Sequence, residues 1–171
     1  MTTTTEIDLD SITTGQAKQA LDRVIEQIAQ QDSEILVSVD DIKVIAYALE
    51  NNLQLRDYLM GLTTDGLSVE SASNILRVIV ELFNSAELPD YPVKTILASY
   101  MYRLGDSDAL TMLKSGLDRD YSLAKLLNRV MSAGLPDSFF STMSEELHPK
   151  VVAELQATSD ELANELLRAN V

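Results

Sequence analysis

The chain has 171 residues, no cysteine, no tryptophan, 46% hydrophobic residues and a formal net charge of −14. That length and apolar content supply one domain with a real core and exclude wholesale disorder. The missing cysteines exclude disulfides, thiolate metal ligands and cysteine nucleophiles. The acidic balance opposes direct binding to nucleic acid backbones and anionic lipid surfaces.

The opening MTTTTEIDLD has neither a basic stretch nor an apolar one, so it does not read as a secretory signal. No apolar run approaches the roughly 20 residues of a membrane span. The sequence therefore predicts a soluble, cytoplasmic protein. Residues 1–14 are Thr-rich and aperiodic, which predicts a mobile tail ahead of a single helical domain over 15–171.

A first helix is predicted from Gly15 to Gln31, where Ala17, Ala20, Leu21, Val24, Ile25 and Ile28 form one apolar stripe. Glu34 to Val39 is the one strand-like run; with no partner strand it reads as an extended connector burying Ile35 and Val37. Ser38 or Asp40 then caps a helix carrying Ile42, Ile45, Ala46 and Leu49. A shorter helix follows from Leu53 to Leu62, closed by Gly61 or Gly66. The longest helix is predicted from Val69 to Ala86; its broad apolar face (Ala72, Ile75, Leu76, Ile79, Val80, Leu82, Phe83) marks it as central.

Leu88-Pro89-Asp90-Tyr91-Pro92 stops that helix, and Pro92 suits the first turn of the next, which ends at Gly105. Asp106 or Ser107 caps a helix bearing Ala109, Leu110, Met112, Leu113 and Leu117. Asp118-Arg119-Asp120 turns the chain, and Ser122 opens a helix that stops at Gly134. Pro136 begins a short helix with Phe139, Phe140 and Met143, and Pro149 begins a last stretch reaching Asn170. The fold class expected is all-α: about eight antiparallel helices, with tetratricopeptide-like helical-hairpin packing in the C-terminal half. A solenoid is not expected, because the hairpin period does not recur.

Leu104-Gly105-Asp106, then Asp120-Tyr121-Ser122-Leu123-Ala124 with Leu126-Leu127, then Ala133-Gly134-Leu135-Pro136 resemble the actinobacterial domain-of-unknown-function 4192 family, met also in phages. Arg56-Asp57 resembles that family's short Arg-Asp motif. The order and spacing hold from Ile96 to Pro136. The family's Trp is replaced around Tyr100 to Tyr102, its second Gly after Gly105-Asp106 is Ser107 or Asp108 here, and its strand-bearing N-terminal part is absent. The resemblance implies a reduced, C-terminal version of the family and a phage or prophage origin. It implies no activity.

No catalytic, cofactor or metal site is legible. His148 is the one histidine and precedes Pro149, the setting of a turn residue. Gly-x-Ser-x-Gly and Gly-rich phosphate loops are absent. Asp40/Asp41, Asp106/Asp108, Asp118/Asp120 and Glu145/Glu146 sit at helix ends, where capping explains them. Asp8/Asp10 and Asp106/Asp108 lack the Gly and distal Glu of a calcium loop.

Residues 1–91 hold 16 acidic and 5 basic side chains; residues 93–136 hold 4 and 6. Arg103, Lys114, Arg119, Lys125 and Arg129, with Tyr121, form the candidate partner-binding patch of that second stretch. The competing reading is intramolecular pairing with the acidic N-terminal half. Two functions are expected in order: a non-catalytic protein-interaction module for an unknown protein partner, and an acidic DNA-mimic regulator that binds a DNA-binding protein. An enzyme ranks last. A mimic needs carboxylates in phosphate-like rows, whereas an interaction module needs a contiguous apolar patch. Val151, Val152, Leu155, Leu162, Leu166 and Leu167 make the C-terminal stretch amphipathic, so it docks on its own chain or on a second copy as a homodimer.

Overall fold

The computed structural model describes residues 8–30, 37–51, 53–142 and 153, and among these every regular element is helical. The all-α expectation holds. In order, α1 spans Thr14–Ala29, α2 Val39–Asn51, α3 Leu53–Met60, α4 Val69–Ser85, α5 Tyr91–Arg103, α6 Ala109–Met112, α7 Lys114–Asp118 and α8 Ser122–Ser132. Short 3-10 turns lie at Leu9–Ser11 and Leu62–Asp65, and residues 137–142 are helical. The expected C-terminal stretch from Pro149 apart from Ala153, its dimer face, His148, Ile35 and Met143 lie outside the described residues.

Local chemistry places the ends. Thr13 and Gln16 form a reciprocal cap on α1: the Gln16 N–H donates to Thr13 Oγ1 at 3.2 Å and the Thr13 N–H to Gln16 Oε1 at 2.9 Å. The Ser68 hydroxyl accepts from the Ser71 N–H at 3.0 Å and starts α4. Pro92 sits in the first turn of α5, as its missing donor allows. The segment expected as a mobile tail carries structure from Asp8 on. Asp8 caps the first 3-10 turn, Tyr47 donates to Asp10 Oδ1 at 2.8 Å, and Leu9 and Ile12 pack on the core.

One core cluster runs from Ala17 to Phe140, so the described helices form a single domain. α1 packs on α2 and α4 on α5. The helix expected to be central, α4, is flanked by α1, α2 and α5, whereas α5 touches α2, α3, α4, α6, α7 and α8. The centre therefore belongs to α5. Burial agrees, since Val93 and all of Thr95–Met101 are buried. The single helix expected between Asp106 and Leu117 is two short ones, parted at Leu113. α7 and α8 form a hairpin around Arg119–Tyr121, and α5 lies against both.

Four helices end in the same double hydrogen-bonded left-handed cap. α5 and α8 use Gly105 (φ 74) and Gly134 (φ 68), as their sequences predict. α4 and α7 place acidic residues there instead, Glu87 (φ 55) and Asp120 (φ 59). At α4 the Leu88 N–H reaches Phe83 O at 2.9 Å and the Glu87 N–H reaches Asn84 O at 3.1 Å. A side chain there costs about 1 kcal/mol. Glu87→Gly is therefore expected to stabilise the fold by about 1 kcal/mol, read as a higher urea midpoint at unchanged slope.

Candidate functional site

The six residues of the sequence-predicted patch divide into different roles. The Arg103 side chain is 6% exposed: its Nε donates to Asp137 Oδ1 at 2.7 Å and its guanidinium lies over the Tyr100 ring at 5.8 Å. It is an internal brace between α5 and the 137–142 turn. Arg119 stacks on Tyr91, 5.0 Å from the ring centroid. Lys125 pairs with Asp120. Lys114 and Arg129 are exposed. The competing reading of intramolecular pairing holds for Arg103 and Lys125, but their partners come from the C-terminal half rather than the acidic N-terminal one.

Tyr121 joins a different cluster. Its ring meets Tyr91 edge-on at 5.4 Å, and the Tyr91 hydroxyl donates to Glu50 Oε2 at 3.2 Å. The Tyr121 hydroxyl is buried beside the Arg56 guanidinium. Burial raises its pKa above the ordinary tyrosine value, with the nearby Arg56 charge opposing the rise. Arg56 is itself held by Asp57 at 2.7 Å. Thus Arg56-Asp57 and Tyr121, far apart in sequence, meet in space.

The pKa of Tyr91 is raised by burial and by Glu50, and that of Tyr47 by its hydrogen bond to Asp10. A hydroxyl that ionises later in the folded chain than in the unfolded one supports the fold fully below its unfolded pKa, about 10. That support fades as pH rises toward the folded value. Urea midpoints are expected to fall above about pH 10. Tyr121→Phe should make the fall shallower, because it removes one such hydroxyl; an unchanged slope excludes Tyr121 from it.

Two clefts remain. The first, about 450 Å³, lies between the Leu9–Ser11 turn, α1 and α2. Most of its polar groups are already engaged within the chain. Arg23 grips Asp41 through Nε at 3.0 Å and Nη2 at 2.8 Å, which raises the arginine pKa further; Gln16 belongs to the α1 cap, and the Ser11 hydroxyl donates to Asp8 O.

The second, about 260 Å³, opens where α5 ends, between α6 and α8. Tyr102, Ala109, Leu110 and Met131 give it an apolar lining, and Gly105, Asp106 and Ser107 form the turn at its edge. The Tyr102 wall is fixed: its hydroxyl donates to Leu135 O at 2.7 Å and its ring lies 5.8 Å from that of Phe140. Leu110 in the lining and Leu104 on the same turn are each 47% exposed. Sequence reasoning missed this cleft. Its signal is two leucines flanking a Gly-Asp turn; Leu110 reads in the sequence as an inward position of its helix, whereas it is 47% exposed at the cleft.

Among the described residues no three His, Asp or Glu side chains stand where they hold a metal ion. No described helix is long and apolar enough to cross a membrane. Set against known proteins, the chain matches no family model, no curated protein and no solved structure.

Proposed function

We propose that the chain is a non-catalytic helical protein-interaction module that engages a partner protein through the cleft between α5, α6 and α8. The observation that carries this reading is the rigid apolar lining of that cleft together with the half-exposed Leu104 and Leu110. Exposed aliphatic side chains around a formed hollow cost solvation in the free protein and return it when covered. The volume, about 260 Å³, lies below the roughly 300–1,000 Å³ of small-molecule sites, which favours a protruding side chain over a metabolite.

The acidic-mimic reading is the second one, and the ion pairs weigh against it. All seven ion pairs among the described residues use aspartates: Asp22, Asp41, Asp57, Asp90, Asp106, Asp120 and Asp137. Six of those aspartates lie within 3.0 Å of their cation, and carboxylates so held make poor stand-ins for a row of phosphates; Asp106, 3.4 Å from Arg77, is the loosest. The relation to the domain-of-unknown-function 4192 family, with its phage association, and a cytoplasmic setting are proposed alongside on the sequence features quoted above.

The test is capture of partners from lysate of the native host with the wild-type chain and Leu110→Asp as parallel baits. Leu110 is exposed, so the variant is expected to keep its helical circular dichroism. A partner held by the wild type and lost by the variant supports the reading. Equal capture by both baits sinks the assignment of this cleft.

A further inference from the structure

Resting on the interaction reading, we infer that the cleft between α5, α6 and α8 takes one bulky apolar side chain from a basic segment of a partner protein. Its size and walls set the first half of that description. Tyr102, Ala109, Leu110 and Met131 offer contact to a hydrocarbon or aromatic group, and the hollow has room for one such group rather than a whole helix face. A single anchor residue in a formed pocket is the common core of a binding hot spot. The wall does not need rearrangement to accept it, because Tyr102 is already held by Leu135 and Phe140.

Charge sets the second half. The edge of the cleft is the 105–108 turn, with Asp106 in the lining and Asp108 exposed beside it. Asp106 Oδ1 accepts the Asp108 N–H at 2.9 Å, which fixes the turn, while Asp106 Oδ2 has only a long 3.4 Å contact to Arg77. The Arg103 cation is committed to Asp137. Around the end of α5, Asp106, Asp108 and Asp137 stand against Arg77 and Arg103, an excess of one carboxylate at the cleft edge. That field draws a cationic segment and repels an anionic one. Lysine or arginine next to the anchor residue then meets Asp106 and Asp108.

The probe is a short labelled peptide with one phenylalanine flanked by arginines, followed by fluorescence anisotropy. Three changes are each expected to weaken binding by about tenfold or more: alanine for the phenylalanine, glutamates for the arginines, and a Ser107→Phe protein whose new ring plugs the cleft. Asp106→Asn, which keeps the acceptor for the Asp108 N–H, should weaken it less and flatten its salt dependence. No binding of the arginine peptide, equal binding of the glutamate version, or indifference to Ser107→Phe overturns the inference. If the peptide fails while lysate capture still depends on Leu110, the partner chemistry is wrong and the interaction reading stands.

Discussion

Tyr100→Phe is expected to destabilise the protein by about 2–4 kcal/mol, more than the loss of a hydroxyl at most core sites. The Tyr100 side chain is fully buried in α5. Its hydroxyl donates to Leu59 O at 2.6 Å and accepts from the Leu62 N–H at 3.1 Å. Those two backbone groups lie where α3 ends and the Leu62–Asp65 turn begins, so neither has a helical partner at that point. Removing one oxygen strands both a buried acceptor and a buried donor. Chemical unfolding by circular dichroism reads the effect directly. A change below about 1 kcal/mol means that the two backbone groups find other partners.

Gly116→Val should be the other severe change, at about 3 kcal/mol. Gly116 is buried in α7, and a Cβ there would stand 2.7 Å from Thr95 Oγ1 and 2.8 Å from Ala124 Cβ. Neither neighbour can retreat. Thr95 is pinned by its hydroxyl bond to Tyr91 O at 2.8 Å, and Ala124 has no side chain left to rotate. Two more methyl groups have to push α7 off both α5 and α8. Gly116→Ala gives the graded control, expected at about 1–2 kcal/mol. Thermal midpoints of the pair should rank wild type above alanine above valine. Equal midpoints for all three would show that the α5–α7–α8 contact is loose.

The helix boundaries were the legible part of the fold, because each rests on local chemistry. Pro92, Gly105, Gly134 and the Ser68 cap act within a few residues of themselves, and a one-dimensional reading finds them. The central role of α5 was hidden by two hydroxyls. Thr95 and Ser99 look like surface residues, yet both are buried and bond back to their own helix, Thr95 to Tyr91 O and Ser99 to Ile96 O at 2.6 Å. A helix buried on all sides has no polar face to reveal its period. α4 showed a cleaner stripe because part of it faces water.

The candidate site was less legible for a related reason. Arg103 reads as a patch cation or as one paired with the acidic N-terminal half, because its actual partner, Asp137, is distant in sequence in the other direction. Arg56 and Tyr121 were noticed separately, and nothing in their spacing announces that they meet. The cleft depends on how the end of α5 leans on α8, a matter of tertiary packing alone. Its exposed leucines were visible, but exposure itself was not.

That α5 touches six other helices also has a consequence for the order of synthesis. α2, α3 and α4 leave the ribosome before their common neighbour exists. Until Tyr91–Arg103 emerges, Leu59 O and the Leu62 N–H have no hydroxyl to meet, and the inner side of α4 faces solvent. The nascent N-terminal half is therefore an incomplete object whose apolar surface waits on a later segment. The fold closes late and from its middle, so a stall or a truncation before Tyr91 leaves a chain for the chaperones rather than a smaller domain.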